Sequence, residues 1–237
     1  MSFALRLSRR TFAAAAVAIV AAGSLGAQPA AVSARRAVAA TPTAPITPSD
    51  RWLDGLTSKH RQFFDAPTAN GGILLVHILN YYNTLNETYK VKDADIDAVG
   101  TFYGATVFYG VNDAMWAKYR LGEIRKIDDP DTKKPAERNP WSRTPAGKTA
   151  DAEFAAALAL PYDPTVEGVI RTGGIVLVCN LALRAVAAQI ANARTLDTAT
   201  VHADLRANLV PGVIAQPSGV YATARAQEVG CAFLRST

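Results

Sequence analysis

The 237-residue chain carries 25 Lys and Arg against 20 Asp and Glu, but Arg6, Arg9, Arg10, Arg35 and Arg36 all precede the first acid, Asp50. Without those five the rest of the chain holds 20 bases and 20 acids, and a domain with no net charge lacks the electrostatic footprint of a nucleic-acid binder. Two cysteines are too few for a disulfide framework, and nothing in the composition suggests a metal cluster, so the core must hold by packing.

In chain order, Met1 to Arg10 is basic and free of acids, and Thr11 to Leu25 is an Ala, Val and Ile run too short to span a bilayer comfortably. Ser8-Arg9-Arg10-Thr11-Phe12 matches the twin-arginine export pattern. The expectation is a signal segment over residues 1–39, export to the periplasm, and membrane contact only through an uncleaved signal segment. Small-residue cleavage sites end at Ala34 and Ala39, and the second is preferred because a Pro-rich linker (40–50) follows directly.

Residues 51–237 form the expected folded domain. A leading helix, Trp52 to Phe64, comes first. Asn70-Gly71-Gly72 then opens the apolar run Ile73 to Ile78, read as a first strand, with a polar-faced helix over Asn80 to Lys90. Asp97 to Tyr103 reads as the second strand, and Gly104 to Gly122 as a helix with Val107, Val111, Met115 and Trp116 at helical spacing. Residues 123–150 hold four prolines and many charges and read as a polar insertion, either a functional element or a surface decoration. Short helices are expected at Asp151 to Leu160 and Thr165 to Arg171. Gly173-Gly174 opens a third strand, Ile175 to Cys179, and Asn180 is expected to cap a helix through Ala193. Gly212 to Gln216, the helix Gly219 to Val229 and a last strand from Cys231 to Leu234 complete an α/β domain with a doubly wound parallel sheet of about five strands.

Ligands of such sheets sit beyond the carboxyl ends of the strands. Cys179 occupies such an end, before a helix whose amides and dipole stabilise a thiolate; the alternative is a small buried hydrophobe. His77 reads as approaching Cys179 if the first and third strands are neighbours, or as buried by strand alternation. Tyr103 either contacts a ligand or fills the crevice mouth, and Ser218, in the turn after the fourth strand, joins Asn180, His77 and Tyr103 as a candidate binding residue. Asn112 and Trp116 share a helix face, which a packed Trp with a solvated edge also explains. Cys231 opens the last strand and reads as structural, too far from Cys179 for a disulfide, whose α-carbons must lie within about 7 Å. A Gly-rich phosphate loop, a nucleophile elbow and a His pair at ligand spacing are all missing from the sequence, which argues against nucleotide hydrolysis, the α/β-hydrolase reaction and zinc catalysis.

Three stretches, Gly174-Ile175-Val176-Leu177-Val178-Cys179-Asn180, Leu209-Val210-Pro211-Gly212-Val213, and Pro217-Ser218-Gly219-Val220 with Ala226-Gln227-Glu228-Val229-Gly230-Cys231-Ala232-Phe233, resemble in their order the DsrE/DsrF-like family of sulfur-relay proteins. Asn112-Asp113-Ala114-Met115-Trp116 looks like an exported branch of it. The resemblance implies a flavodoxin-like sheet, assembly into homo- or hetero-oligomers, and a persulfide on Cys179 that passes between a sulfur donor and an acceptor, protein or small molecule. No cofactor and no metal are expected. The rival readings are a non-catalytic ligand- or partner-binding module with Cys179 in the core, and a flavin enzyme, which the sheet alone does not imply.

Overall fold

Five short stretches form one sheet: β1 (His60–Ala66), β2 (Ile96–Phe102), β3 (Ile175–Cys179), β4 (Ile214–Gln216) and β5 (Ala232–Arg235). The structure is a computed structural model that describes residues 48–129, 131–142 and 159–237. The strand order is β4-β3-β2-β1-β5, and every pair is parallel. The described helices are α1 (Ile73–Tyr89), α2 (Asp113–Tyr119), α3 (Leu121–Arg125), α4 (Val166–Thr172), α5 (Asn180–Arg194), α6 (Thr198–Ala207) and α7 (Gly219–Glu228), with 3-10 helices at Pro48–Gly55 and Gly104–Gly110.

Handedness distributes the helices. Each step from β1 to β2, β3 and β4 moves one place in the same direction, and right-handed crossovers then put α1 to α6 on one face. The step from β4 to β5 runs back across the sheet, so α7 must cover the other. The packing agrees: α1 and α5 bury Leu75, Ile78, Leu183 and Ile190 with Val176 and Val178 in one core, whereas Ala222 and Ala226 of α7 join Trp52, Phe63, Val99 and Leu177 in the second. This is a doubly wound, flavodoxin-like α/β sheet.

Several elements differ from the sequence expectation. Ile73 to Ile78 is not a strand but the first turns of α1, whose apolar residues continue through Leu79, Tyr82 and Leu85. Gly100 lets α1 lie close on β2, since a Cβ there would stand 2.7 Å from Ile78 Cδ1. The first strand is instead His60–Ala66, which overlaps the second half of the leading helix expected over Trp52 to Phe64 and runs past it. The single helix expected over 104–122 is a 3-10 turn followed by α2 and the start of α3, and α6 was not anticipated.

The polar insertion is not merely solvated. Its residues Ala136, Asn139, Trp141 and Ser142 are buried, and Trp141 stacks on Tyr109 with ring centroids 3.6 Å apart. Asn139 Nδ2 donates to the carbonyls of Tyr109 (2.7 Å) and Val111 (2.9 Å), and its Oδ1 accepts from Trp141 N (3.0 Å). The signal segment, nearly all of the linker, residues 143–150 of the insertion and residues 151–158 of the next expected helix lie outside the described residues.

Candidate functional site

The connection after β3 leaves by the α5 face and the connection after β4 by the α7 face, so the crevice that such sheets use for ligands falls at the carboxyl ends of these two strands. Cys179 and Gln216 are register partners there, and both are buried. Cys179, not Asn180, is the N-cap of α5: its Sγ accepts from Ala182 N at 3.3 Å. Cys179 is 4% exposed and packs in the larger core. Asn180 is the first helical residue, and its Oδ1 pairs with His202 Nε2 at 2.8 Å. Burial, and then Arg184 and Arg206, hold the His202 imidazole below its ordinary pKa. Leu181 N donates to the Pro217 carbonyl at 3.3 Å, tying the heads of α5 and α7 together.

Ser218 is the N-cap of α7 but its side chain caps no amide. The next residue, Gly219, presses against Tyr103, and a Cβ there would stand 2.7 Å from Tyr103 Cβ and Cγ. Tyr103 follows Phe102, the partner of Val178, and therefore stands beside Cys179 along the carboxyl edge. Its Oη turns the other way and donates to Asp65 Oδ2 at 3.1 Å, an oxygen that also accepts from Arg235 Nε at 3.1 Å. Partial burial, then the hydrogen bond to Asp65 and its charge, push the Tyr103 phenol up to about 12.

Asp65 and Arg235 were not singled out from the sequence. Asp65 is the next-to-last residue of β1 and Arg235 the last of β5, both on the face covered by α7, and Asp65 pairs in register with Thr101. Asp65 is 1% exposed, and among the described residues its Oδ1 and the neighbouring Thr101 Oγ1 have no hydrogen-bond partner. The carboxyl edge therefore carries a row of polar groups, Gln216, Cys179, Tyr103, Asp65 and Arg235, of the kind that fixes a small ligand at a few points. The available signal was an Asp closing the apolar run Phe63-Phe64.

His77 does not join this row with Cys179. It lies on α1, its Nδ1 is 3.1 Å from Ser236 Oγ just after β5, and it lines a cleft of about 220 Å³ with Phe64, Tyr81 and Leu234. Three strand spacings separate β5 from β3, about 14 Å. Burial lowers its pKa. Asn112 caps α2 through Met115 N (3.3 Å), and Trp116 is a fully buried core residue whose Nε1 donates to the Phe108 carbonyl. Cys231 lies at the amino end of β5, buried and free like Cys179. Among the described residues, no group of three or more His, Cys, Asp or Glu side chains is placed to hold a metal ion.

No known protein family, curated protein or solved structure matches the chain.

Proposed function

We propose that this chain is an exported sulfur-handling protein in which Cys179 takes up a sulfane sulfur as a persulfide and passes it to an acceptor thiol. The observation that carries the reading is the placement of Sγ at the sheet's reversal point, with the Ala182 N–H donated to it at the head of a 15-residue helix. The Ala182 N–H holds Sγ at the head of the helix, and the thiolate is the form of a cysteine that exchanges sulfur. In uptake the Cys179 thiolate attacks the terminal sulfur of a donor R–S–SH; the donor S–S bond breaks, R–S⁻ leaves with the bond pair, and Cys179 becomes Sγ–SH. Delivery is the same exchange with the acceptor thiolate attacking the terminal sulfur, so no oxidant is consumed. The resemblance over 173–235 supports this chemistry and a homo-oligomer, and Arg9-Arg10 supports twin-arginine export to the periplasm.

A second reading rests on the near-complete burial of Cys179: a binding module whose crevice, with Tyr103 and Ser218, holds a ligand or partner while the cysteine serves as core. Intact mass after incubation with polysulfide separates the two. A reducible gain of about 32 Da that is absent in Cys179→Ser supports the carrier. No adduct, with Cys179 alkylated only after unfolding, refutes it in favour of the binding module.

A further inference from the structure

Among the described residues seven large apolar side chains are exposed, and two of them stand at the helix heads beyond β3 and β4: Leu181, 62% exposed on the first turn of α5, and Val220, 70% exposed on the first turn of α7. The backbone bond from Leu181 N to the Pro217 carbonyl holds these two helix heads together. Beside them stand two exposed arginines. Arg184 lies one turn after Asn180 on the same helix face, and Arg206 one turn after His202, the residue bonded to Asn180. Among the described residues, neither arginine has an ion-pair partner. α5 contains no Asp or Glu, and Asp204, the acid of α6 nearest Arg206 in sequence, is engaged by Lys118 Nζ (2.6 Å) and Tyr119 Oη (2.7 Å). Most other described arginines are paired with a carboxylate.

We infer that this rim, apolar at Leu181 and Val220 and cationic at Arg184 and Arg206, is the docking surface for a partner protein that presents an acidic segment with an apolar residue at its centre. Apolar anchors with a charged rim are the anatomy of a transient protein interface, and rim charges select the partner and speed its approach. Two arginines are too few for a membrane surface, where about four to eight clustered basic residues are needed. The inference takes from the carrier reading only its purpose, sulfur exchange with the docked partner at Cys179.

The probe is a fluorescein-labelled peptide of Asp and Glu with a central Leu, its binding to the full chain read by fluorescence anisotropy. Its counterpart has Asn and Gln in place of the acids. The acidic peptide is expected to bind about tenfold more tightly than its counterpart, and to lose about tenfold in R184Q/R206Q, in L181S/V220S, and on raising salt from low to high. Circular dichroism checks that each variant is folded. No binding of the acidic peptide, equal affinity for wild type and R184Q/R206Q, or a preference for anionic phospholipid vesicles over the peptide would overturn the inference. Cys179→Ser should bind the peptide like the wild type, so that if no sulfur is taken up yet binding persists, the carrier reading fails and the docking surface stands.

Discussion

Replacing Asn139 tests whether the polar insertion is part of the fold. The side chain is 1% exposed and makes three hydrogen bonds, to the carbonyls of Tyr109 and Val111 and from the amide of Trp141. Asn139→Ala removes all three and strands two acceptors and one donor away from water. A net hydrogen bond contributes about 1 kcal/mol, and each stranded group costs about 1–3 kcal/mol. With partial relaxation the loss should be about 3–5 kcal/mol, a large share of the ~5–15 kcal/mol that holds a typical domain. Asn139→Asp is the sharper variant: it nearly preserves shape and the acceptor for Trp141, but turns a carboxylate oxygen toward two carbonyl oxygens, and should cost at least as much as Ala. Urea unfolding followed by Trp fluorescence reads both, because Trp141 stacks on Tyr109 beside the substituted residue. A shift below about 1 kcal/mol in both variants would refute the reasoning and leave the insertion a decoration.

Three further outcomes follow from the geometry. Asp65→Asn removes the charge and weakens the hydrogen bond that, after burial, raise Tyr103, so the phenol should titrate below its native value of about 12; absorbance at alkaline pH, with Tyr103→Phe subtracted, reads it, and an unmoved titration would show that Asp65 does not act on Tyr103. Gly219→Ala places a Cβ 2.7 Å from Tyr103 Cβ and Cγ and should cost about 1–3 kcal/mol of stability by overpacking, read as a lowered Tm, whereas an unchanged Tm would mean that α7 does not press on Tyr103. Burial pushes the Cys231 thiol up to about 11 from 9.0; because the folded value lies above the unfolded one, its contribution to stability is whole below pH 9 and is lost as the pH rises toward 11, so Cys231→Ala should flatten the alkaline fall of the urea midpoint, and an identical slope would discard the assignment.

The elements legible in the sequence are those whose burial is uniform. β2 and β3 are covered on both faces, so Ile175–Cys179 reads as a continuous apolar run and Ile96–Phe102 as a buried strand interrupted only by Asp97, Gly100 and Thr101. Ile73 to Ile78 has the same appearance, and only the further apolar positions Leu79, Tyr82 and Leu85 distinguish a buried helix from a buried strand; periodicity over six residues does not. β1 was hidden because its first three residues, His60, Arg61 and Gln62, are only half-buried, while Phe63 to Ala66 are fully covered. Misplacing β1 concealed Asp65 as well. Arg235 meets Asp65 only because β5 returns to pair with β1, a contact across 170 residues that no local pattern announces. The places of Cys179, Tyr103 and Ser218 were legible for the opposite reason, since each stands at the end of a strand or the head of a helix.

The crevice at Cys179 and the closure of the second core have one cause. Three successive right-handed steps from β1 to β4 place every intervening helix on one face. A fifth strand added beside β4 would have continued that series and left Phe63, Val99 and Leu177, which form the other face, open to water. Returning β5 to the far edge instead carries α7 over those side chains, so that Ala222 and Ala226 cover them. The same reversal makes the chain leave β3 and β4 on opposite faces, while the bond from Leu181 N to the Pro217 carbonyl keeps the heads of α5 and α7 together at the carboxyl edge. Apolar burial by α7 therefore fixes where the polar edge opens, and substitutions that loosen α7, Gly219→Ala among them, should disturb the crevice even though they touch neither Cys179 nor its helix.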